Sequence, residues 1–462
     1  MPTYISELHL NNFRLFKEAN IQLHPNLCVF LGDNGCGKTT IIDSIAILIS
    51  GIYRAIGEDA RFLHPISARF GERHKQAIKG LFSEYARSTT NSSLKGYLHI
   101  SETIAELKHQ FYHLERNGNM LQQIQDMSDH SGEQSLAKLM QSENAVAIPT
   151  FAKYGTDRNT FSTMTEAVSS IETPPFAGTP LMAHVDAMQS KLDFNSFLSW
   201  FNQEETVELR NQRYNKQYYS RELDAVRRAI ERVFENSERK ISSPRFEASP
   251  LRFVVTETTD EGNVDLDFSQ LSDGYRSMVA LVADFARRLS IANQNSDIDP
   301  LNGEGILMID EIDAHLHPKW QYRVIEDLRR TFPNVQLIVT THSPEIISTV
   351  DKDNVYILQT QNGELQTTHP RDQTRGCPTA NIVREVMGAQ AAPINVPEFS
   401  TYLDCLVYIQ QGDIESESFK HVYEQTLAHY GETHPLVTEM NARLAGEKHR
   451  KSIAAKYKRK IL

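Results

Sequence analysis

The stretch Leu27-Cys28-Val29-Phe30-Leu31-Gly32-Asp33-Asn34-Gly35-Cys36-Gly37-Lys38-Thr39-Thr40 decides the fold. Its apolar run Leu27 to Leu31 has no polar break, which is the pattern of a strand buried on both faces of a parallel or mixed sheet. From Thr39, the residues Ile41, Ile42, Ile45 and Ile49 recur at helical spacing until Gly51. Between strand and helix, Gly32 to Thr39 fits G-x-x-x-x-G-K-[ST], in the context that the motif requires. Glycines let backbone N–H groups turn inward around a phosphate, the Lys38 ammonium pairs with β and γ oxygens, and the Thr39 hydroxyl ligates magnesium. The candidate nucleotide-binding residues are therefore Gly32, Asn34, Gly35, Cys36, Gly37, Lys38, Thr39 and Thr40. Two readings stay open for Cys36: a reactive thiol, or a small residue that the loop accommodates.

Upstream, Tyr4 to Leu10 alternates apolar and polar residues, and Ile21 to Leu31 holds two strand-like runs broken at His24-Pro25-Asn26, so three strands open the chain. Downstream, the pattern predicts a strand over 96–100 and a helix over 104–116 within a mostly polar stretch from 58 to 145. Ala147 to Tyr154 returns to the sheet, Ser162 to Pro180 reads as a loop, and Asn195 to Ser237 as a long helical segment. A hairpin is expected around Asp260-Glu261-Gly262-Asn263. Two apolar strands, 305–309 and 336–340, flank a helix over 318–331, which makes a second β-α-β unit. After Pro393 the chain is expected to be helical, ending in the basic run Lys448, Arg450, Lys451, Lys456, Lys458, Arg459 and Lys460.

At 462 residues the chain exceeds one ordinary core, given about 150 residues per domain. The expected division is a first lobe over 1–160, a helical insertion or arm over 161–245, a second lobe over 246–390 and a partner-binding tail over 391–462. The formal net charge of -11 makes the whole surface a poor match for nucleic acid, so any such contact is a local patch. Cys28, Cys36, Cys377 and Cys405 show no C-x-x-C pairing, which argues against structural zinc or a disulfide framework and for a reducing cytoplasm. No basic leader precedes an apolar stretch, and no apolar run reaches membrane-spanning length, so no membrane association is expected.

Three further segments carry chemistry. Ile306-Leu307-Met308-Ile309-Asp310-Glu311 is an apolar strand ending in two acids: Asp310 can hold magnesium through water, and Glu311 can orient an attacking water. Leu271-Ser272-Asp273-Gly274-Tyr275 opens a helix whose N-terminus presents free N–H groups to an anion, with Ser272 as the N-cap. Val339-Thr340-Thr341-His342-Ser343-Pro344 places a histidine just beyond a buried strand. From there it can contact a γ-phosphate or the attacking water, and a purely structural histidine is the alternative.

In this order the four segments resemble the Walker A loop, signature, Walker B strand and switch histidine of ABC-type ATPases. The resemblance implies an α/β head with a mixed sheet flanked by helices, carrying a helical insertion and a helical C-terminal extension. It implies ATP and Mg2+, with Asp310 and Thr39 on the metal, Glu311, His342 and Lys38 as catalytic residues, and Ile312-Asp313-Ala314 opening the D-loop. It also implies a head-to-head homodimer in which Ser272 and Gly274 serve the nucleotide held by a second subunit. Leu10-Asn11-Asn12-Phe13-Arg14-Leu15-Phe16 is similar to the first hairpin of the Rad50/SMC/RecF branch, and the long interval from Thr39 to Leu271 fits that branch rather than transporter domains. No glutamine stands at the lobe-connecting loop, Ala152 to Arg158. The signature reads Leu-Ser-Asp-Gly rather than Leu-Ser-Gly-Gly, which sets a carboxylate beside incoming phosphate and argues against fast hydrolysis.

The runs Asp310 to Pro318 and Thr340 to Pro344 further resemble the Septu-type ATPases of anti-phage defence, which work beside a small HNH nuclease. By that resemblance the chain is an ATPase regulating a separately encoded nuclease. A RecF-like repair clamp on duplex DNA and a non-hydrolysing scaffold are the alternatives. Residues 391–462 hold no acidic cluster or H-N-H arrangement for a nuclease of their own. Their stripe Tyr402, Leu403, Leu406, Val407 and Ile409 either docks a partner or packs on its own domain, and the basic terminus meets nucleic acid, an acidic partner or solvent.

Overall fold

The chain opens with β1 (Tyr4–Phe13), β2 (Phe16–Gln22) and β3 (Leu27–Gly32), as the alternation and the apolar run predicted. The structure is a computed structural model that describes residues 3–57, 92–100, 103–116, 119–126, 131–141, 147–156, 178–188, 194–237, 239–248, 251–259, 262–361, 364–389 and 395–461. It divides into two compact units, Met1–Ile382 and Val383–Leu462.

In the first unit, α1 (Lys38–Gly57) follows β3 directly. Next come β4 (Ser92–Ile100), β5 (Thr103–Arg116), β6 (Asn119–Asp126), α2 (Ser131–Gln141) and β7 (Thr150–Tyr154). β5 corrects the helix expected over 104–116. Alanine, glutamate, leucine and lysine favour a helix locally, but Ala105 and Leu107 are buried while Ile104 and Glu106 are exposed, a period of two. Pairing with β4, where Leu107 faces Gly96 and Ala105 faces Leu98, settles the matter through tertiary context. These strands form an antiparallel sheet in the order β2-β1-β4-β5-β6.

The helical segment expected over 195–237 comprises two helices, α3 (Phe194–Gln212) and α4 (Arg221–Phe234). Leu223, Val226, Ile230 and Val233 of α4 are all buried, as their spacing requires. Arg227 ties the pair together by reaching Glu208 at 2.8 Å and Glu205 at 3.2 Å on α3. Strands β8 (Lys240–Ala248), β9 (Leu251–Thr259) and β10 (Gly262–Asp267) form an antiparallel sheet in the order β10-β9-β8. The expected hairpin is β9–β10, although Asp260 and Glu261 of its turn lie outside the described residues, as does the loop expected over 162–180 up to residue 177.

The chain continues through α5 (Asp273–Ala292), β11 (Gly305–Ile309), α6 (Val324–Thr331), β12 (Val335–Thr341), β13 (Val355–Gln361) and β14 (Glu364–Thr368). The helix expected over 318–331 is broken: a short turn, Pro318–Gln321, precedes α6, because Arg323 leaves helical geometry at φ -138°. The central sheet runs β14-β13-β3-β12-β11-β7, parallel except for β14. Its inner strands are buried on both faces, as a parallel sheet under helices requires. Every strand bearing chemistry therefore ends on one edge, with β12 between β3 and β11.

A buried polar knot pins helices to this sheet. Asp284 of α5 accepts from Arg287 at 2.6 Å, from Arg288 at 2.7 Å and from the Tyr154 hydroxyl at 2.8 Å. Burial alone would raise the Asp284 carboxyl, but the Arg288 and Arg287 guanidiniums hold it down at about 2. Arg288 also donates to the carbonyls of Ala183 and Val185 at 2.8 Å, on either side of His184. His184 meets the Tyr53 hydroxyl of α1 at 2.8 Å, and burial, helped by Arg288, pushes its imidazole down to about 3.

The second unit contains α7 (Pro397–Gln411), α8 (Glu417–Tyr430) and α9 (Pro435–Ile461). Tyr402, Cys405 and Ile409 of α7 pack with Phe419, Val437, Met440 and Leu444, with Leu403 and Leu406 partly buried against them. Most of the stripe read from the sequence thus serves this unit's own core, and Val407 stays exposed.

His184 remains neutral in the fold while the unfolded chain protonates it near pH 6.5. Stability is lost as pH falls from about 6.5 towards 3, by about 1.4 kcal/mol per pH unit from this group. In urea titrations between pH 7 and 4.5, His184→Asn should flatten the pH dependence by that slope; an unchanged slope would show that His184 is not buried neutral.

Candidate functional site

The glycine loop begins where β3 leaves the sheet. Gly35 and Gly37 hold φ of 78° and 92°, a region that costs any residue bearing a Cβ. Gly37 has a second reason to be glycine, since a Cβ there would lie 2.9 Å from Leu365 and 3.0 Å from Phe16. The loop feeds straight into α1, whose first turn carries no acid and presents N–H groups that no preceding helical turn can use. Lys38 is buried, and its ammonium donates to the carbonyls of Gly32 at 2.8 Å and Asp33 at 2.9 Å. The cation is thus already turned onto the loop it is expected to serve. Burial pushes the Cys36 thiol up, so it is not held as a thiolate, and the small-residue reading fits.

The two acids lie at the end of β11. Asp310 is buried, and its two oxygens are used separately: Oδ2 accepts from the Thr39 hydroxyl at 2.8 Å and Oδ1 from the Thr340 hydroxyl at 2.6 Å. Thr340 also accepts the Glu311 N–H at 2.8 Å. One carboxylate therefore joins the loop helix α1, strand β11 and strand β12. Glu311 sits at φ 47°, a left-handed conformation in which a glutamate is strained by about 1–3 kcal/mol. Such strain persists only where surrounding bonds over-determine it, and the Thr340 contact is one of them.

His342 follows β12. Its N–H donates to Asp313 at 3.3 Å, and the same carboxylate oxygen accepts from the Thr341 hydroxyl at 2.6 Å. The Nε2 atom of His342 is buried without a hydrogen-bond partner among the described residues. A buried nitrogen with no partner costs about 1–3 kcal/mol and is suited to an incoming group.

Ser272 is exposed and caps α5 without a side-chain bond, while Asp273 pairs with Arg276. Gly274 is buried against the D-loop, where a Cβ would overlap the His315 carbonyl. Among the described residues, no hydrogen bond joins Ser272 or Gly274 to residues 32–40. The structure thus brings together the glycine loop with Lys38, Thr39, Asp310 and Glu311, and leaves the signature outside that network.

Sequence reading missed three partners. Thr340 was quoted only as part of the run before His342, and nothing local marks it as the second holder of Asp310. Asp43 of α1 forms ion pairs with Arg14 at 2.8 Å and with Lys153, which locks the β1–β2 turn and β7 to the loop helix. Tyr154 presents its carbonyl to the Asp310 N–H at 2.9 Å and its hydroxyl to Asp284 of α5. These long-range contacts leave no pattern in the sequence.

Loop, bridged acid and strand order together define a P-loop ATPase. The chain belongs to the AAA-domain family, whose profile matches residues 7–243. A second AAA-domain profile, associated with type IV toxin–antitoxin systems, matches residues 182–348. Among curated proteins, the chain is 27% identical to the Retron Ec83 probable ATPase of Escherichia coli, over 78% of this chain and 72% of that one. It is 25% identical to the Retron Vc95 probable ATPase of Vibrio cholerae serotype O1 biovar El Tor, covering 84% and 83%. It is 22% identical to the Septu protein PtuA of Bacillus thuringiensis, covering 83% and 84%.

Thr340→Val keeps shape but removes one hydrogen bond from Asp310 and one from the Glu311 N–H, so urea unfolding should report a loss of about 1–3 kcal/mol. A neutral result would show that Asp310 does not depend on β12.

Proposed function

We propose that the chain binds and hydrolyses Mg-ATP at composite sites shared by two copies, and that closure of this dimer regulates a separately encoded HNH nuclease in anti-phage defence. The observation that carries the ATPase part is the Asp310 carboxylate held between Thr39 and Thr340, with Glu311 one residue beyond. In this reading the loop N–H groups and Lys38 hold the β and γ phosphates, Glu311 orients the attacking water, and His342 offers its unpartnered Nε2 to the γ-phosphate.

The donor set fits magnesium. The Thr39 hydroxyl and an Asp310 oxygen are hard ligands already 2.8 Å apart, and a cation that keeps several waters and phosphate oxygens needs few protein groups. When bound, magnesium neutralises charge on the phosphate oxygens. Every other role falls to the residues named above.

The exposed Ser272 and the N-terminus of α5 support a second copy as the recipient of the signature. The carboxylate of Asp273 supports slow turnover, and its ion pair with Arg276 offsets only part of the charge. The Retron and Septu names of the relatives support the defence reading. In this proposal 1–160 and 246–390 are the two ATPase lobes, 161–245 the insertion and 391–462 the partner-binding tail, in a cytoplasmic protein. Among the described residues, no helix is long and apolar enough to cross a membrane.

ATP binding, turnover and solution mass test this together. Lys38→Ala should abolish ATP binding; Glu311→Gln should keep it, lower turnover by about 10²-fold or more, and trap an ATP-bound dimer. ATP binding without turnover in the unaltered protein would leave a nucleotide sensor, tight salt-sensitive duplex binding would favour the repair clamp, and no ATP binding would overturn the reading.

A further inference from the structure

The connector between α3 and α4 displays a chemistry that the ATPase site does not use. Tyr214 is 94% exposed and Tyr219 64%, with Tyr218 beside them at 36% and Leu209 of α3 at 58%. Interleaved with these rings are Arg210, Arg213 and Lys216, all exposed and without an ion pair among the described residues. From Leu209 to Arg221 the sequence contains no aspartate or glutamate, although the chain as a whole carries a net charge of -11.

This display is built on a fixed frame. The Gln212 side-chain amide donates to the Tyr218 carbonyl at 3.0 Å, which closes the connector on itself. The Tyr214 N–H reaches the Asn211 carbonyl at 3.0 Å, and the Tyr218 N–H reaches that of Asn215 at 2.9 Å. At the far end, the Ser220 N–H donates to buried Glu208 at 2.9 Å, and Arg221 is anchored to the carbonyls of Ser296 and Ile298. Much of the ordering cost of a binding surface is therefore met within the fold.

We propose that this connector binds single-stranded nucleic acid, with Arg210, Arg213 and Lys216 on phosphates and Tyr214 and Tyr219 stacked on unpaired bases. Charge complementarity selects a polyanion, and the rings select among polyanions. An acidic protein segment would satisfy the cations but leave the tyrosines without a role. A duplex hides its base faces inside the stack. Only a single strand offers a phosphate chain and free π-faces together. The inference does not rest on the ATPase reading.

Fluorescence anisotropy of the full chain with labelled oligo(dT) or oligo(rU) of about 20 nucleotides tests it, a length that exceeds the about 4–16 nucleotides held by a whole OB fold. Binding of either strand, and weaker binding of a duplex of the same length, is expected. Tyr214→Ala with Tyr219→Ala should weaken binding by about 10–100-fold, while Tyr214→Phe with Tyr219→Phe retains it. Replacing Arg210, Arg213 and Lys216 by glutamine should lower the slope of log affinity against log salt by about 2. These side chains are exposed, so the urea midpoint and ATP binding should stay unchanged in each variant. The proposal is overturned by no binding of either strand, by equal binding of duplex, by alanine variants that bind like the unaltered protein, or by poly-glutamate binding as tightly as oligo(dT).

Discussion

The Asp310 carboxylate is the interaction on which the rest of the site depends. Its two oxygens divide between Thr39, at the start of α1, and Thr340, inside β12, so one group sets the glycine loop, the end of β11 and the segment before His342 in a common frame. A buried carboxylate needs such partners, because an ionised group without them costs several kcal/mol. The same arrangement holds Glu311 through Thr340 in a left-handed conformation that its backbone would otherwise leave. Position and strain at this edge of the sheet thus share a source in Thr340.

A second polar knot lies beneath this edge. Tyr154 touches both levels: its carbonyl takes the Asp310 N–H, and its hydroxyl takes Asp284 on the helix that begins with the signature. One residue of β7 therefore joins α5 to Asp310. Asp284 stays ionised in the interior because two guanidiniums face it, and the cost of burying the Arg288 guanidinium is offset in part by the carbonyls of Ala183 and Val185. Parallel strands with a shared edge place the loop, the acids and the histidine together. The antiparallel sheets and α3–α4 complete the body around them.

Much of this was legible in the chain itself. The unbroken apolar run of β3 announced a strand buried on both faces, the apolar stretches of β11 and β12 announced two more strands, and the glycine spacing announced a loop that needs positive φ, which Gly35 and Gly37 adopt. The stripe of α4 was visible because burial on one helical face imposes its own period. Where local preference and tertiary demand disagreed, the reading failed: β5 is composed of helix formers and is a strand because β4 pairs with it. Over 195–237 the helical character was legible but the connector was not, because residues 213–220 carry no glycine or proline to mark it.

The sequence by itself determined the class of fold, the glycine loop between β3 and α1 and the pair of acids that closes β11, since these rest on residue types at fixed spacing along one strand or helix. Only the tertiary structure decided that Thr340 shares Asp310 with Thr39, that Asp43 gathers Arg14 and Lys153, that Tyr154 links β11 to α5, and that the tyrosines and cations of the α3–α4 connector stand exposed on a closed frame. The physical reason is range. Periodicity and motif spacing record what a residue does within its own element, whereas a hydrogen bond or ion pair between residues far apart in sequence leaves no trace until the sheet brings its strands side by side.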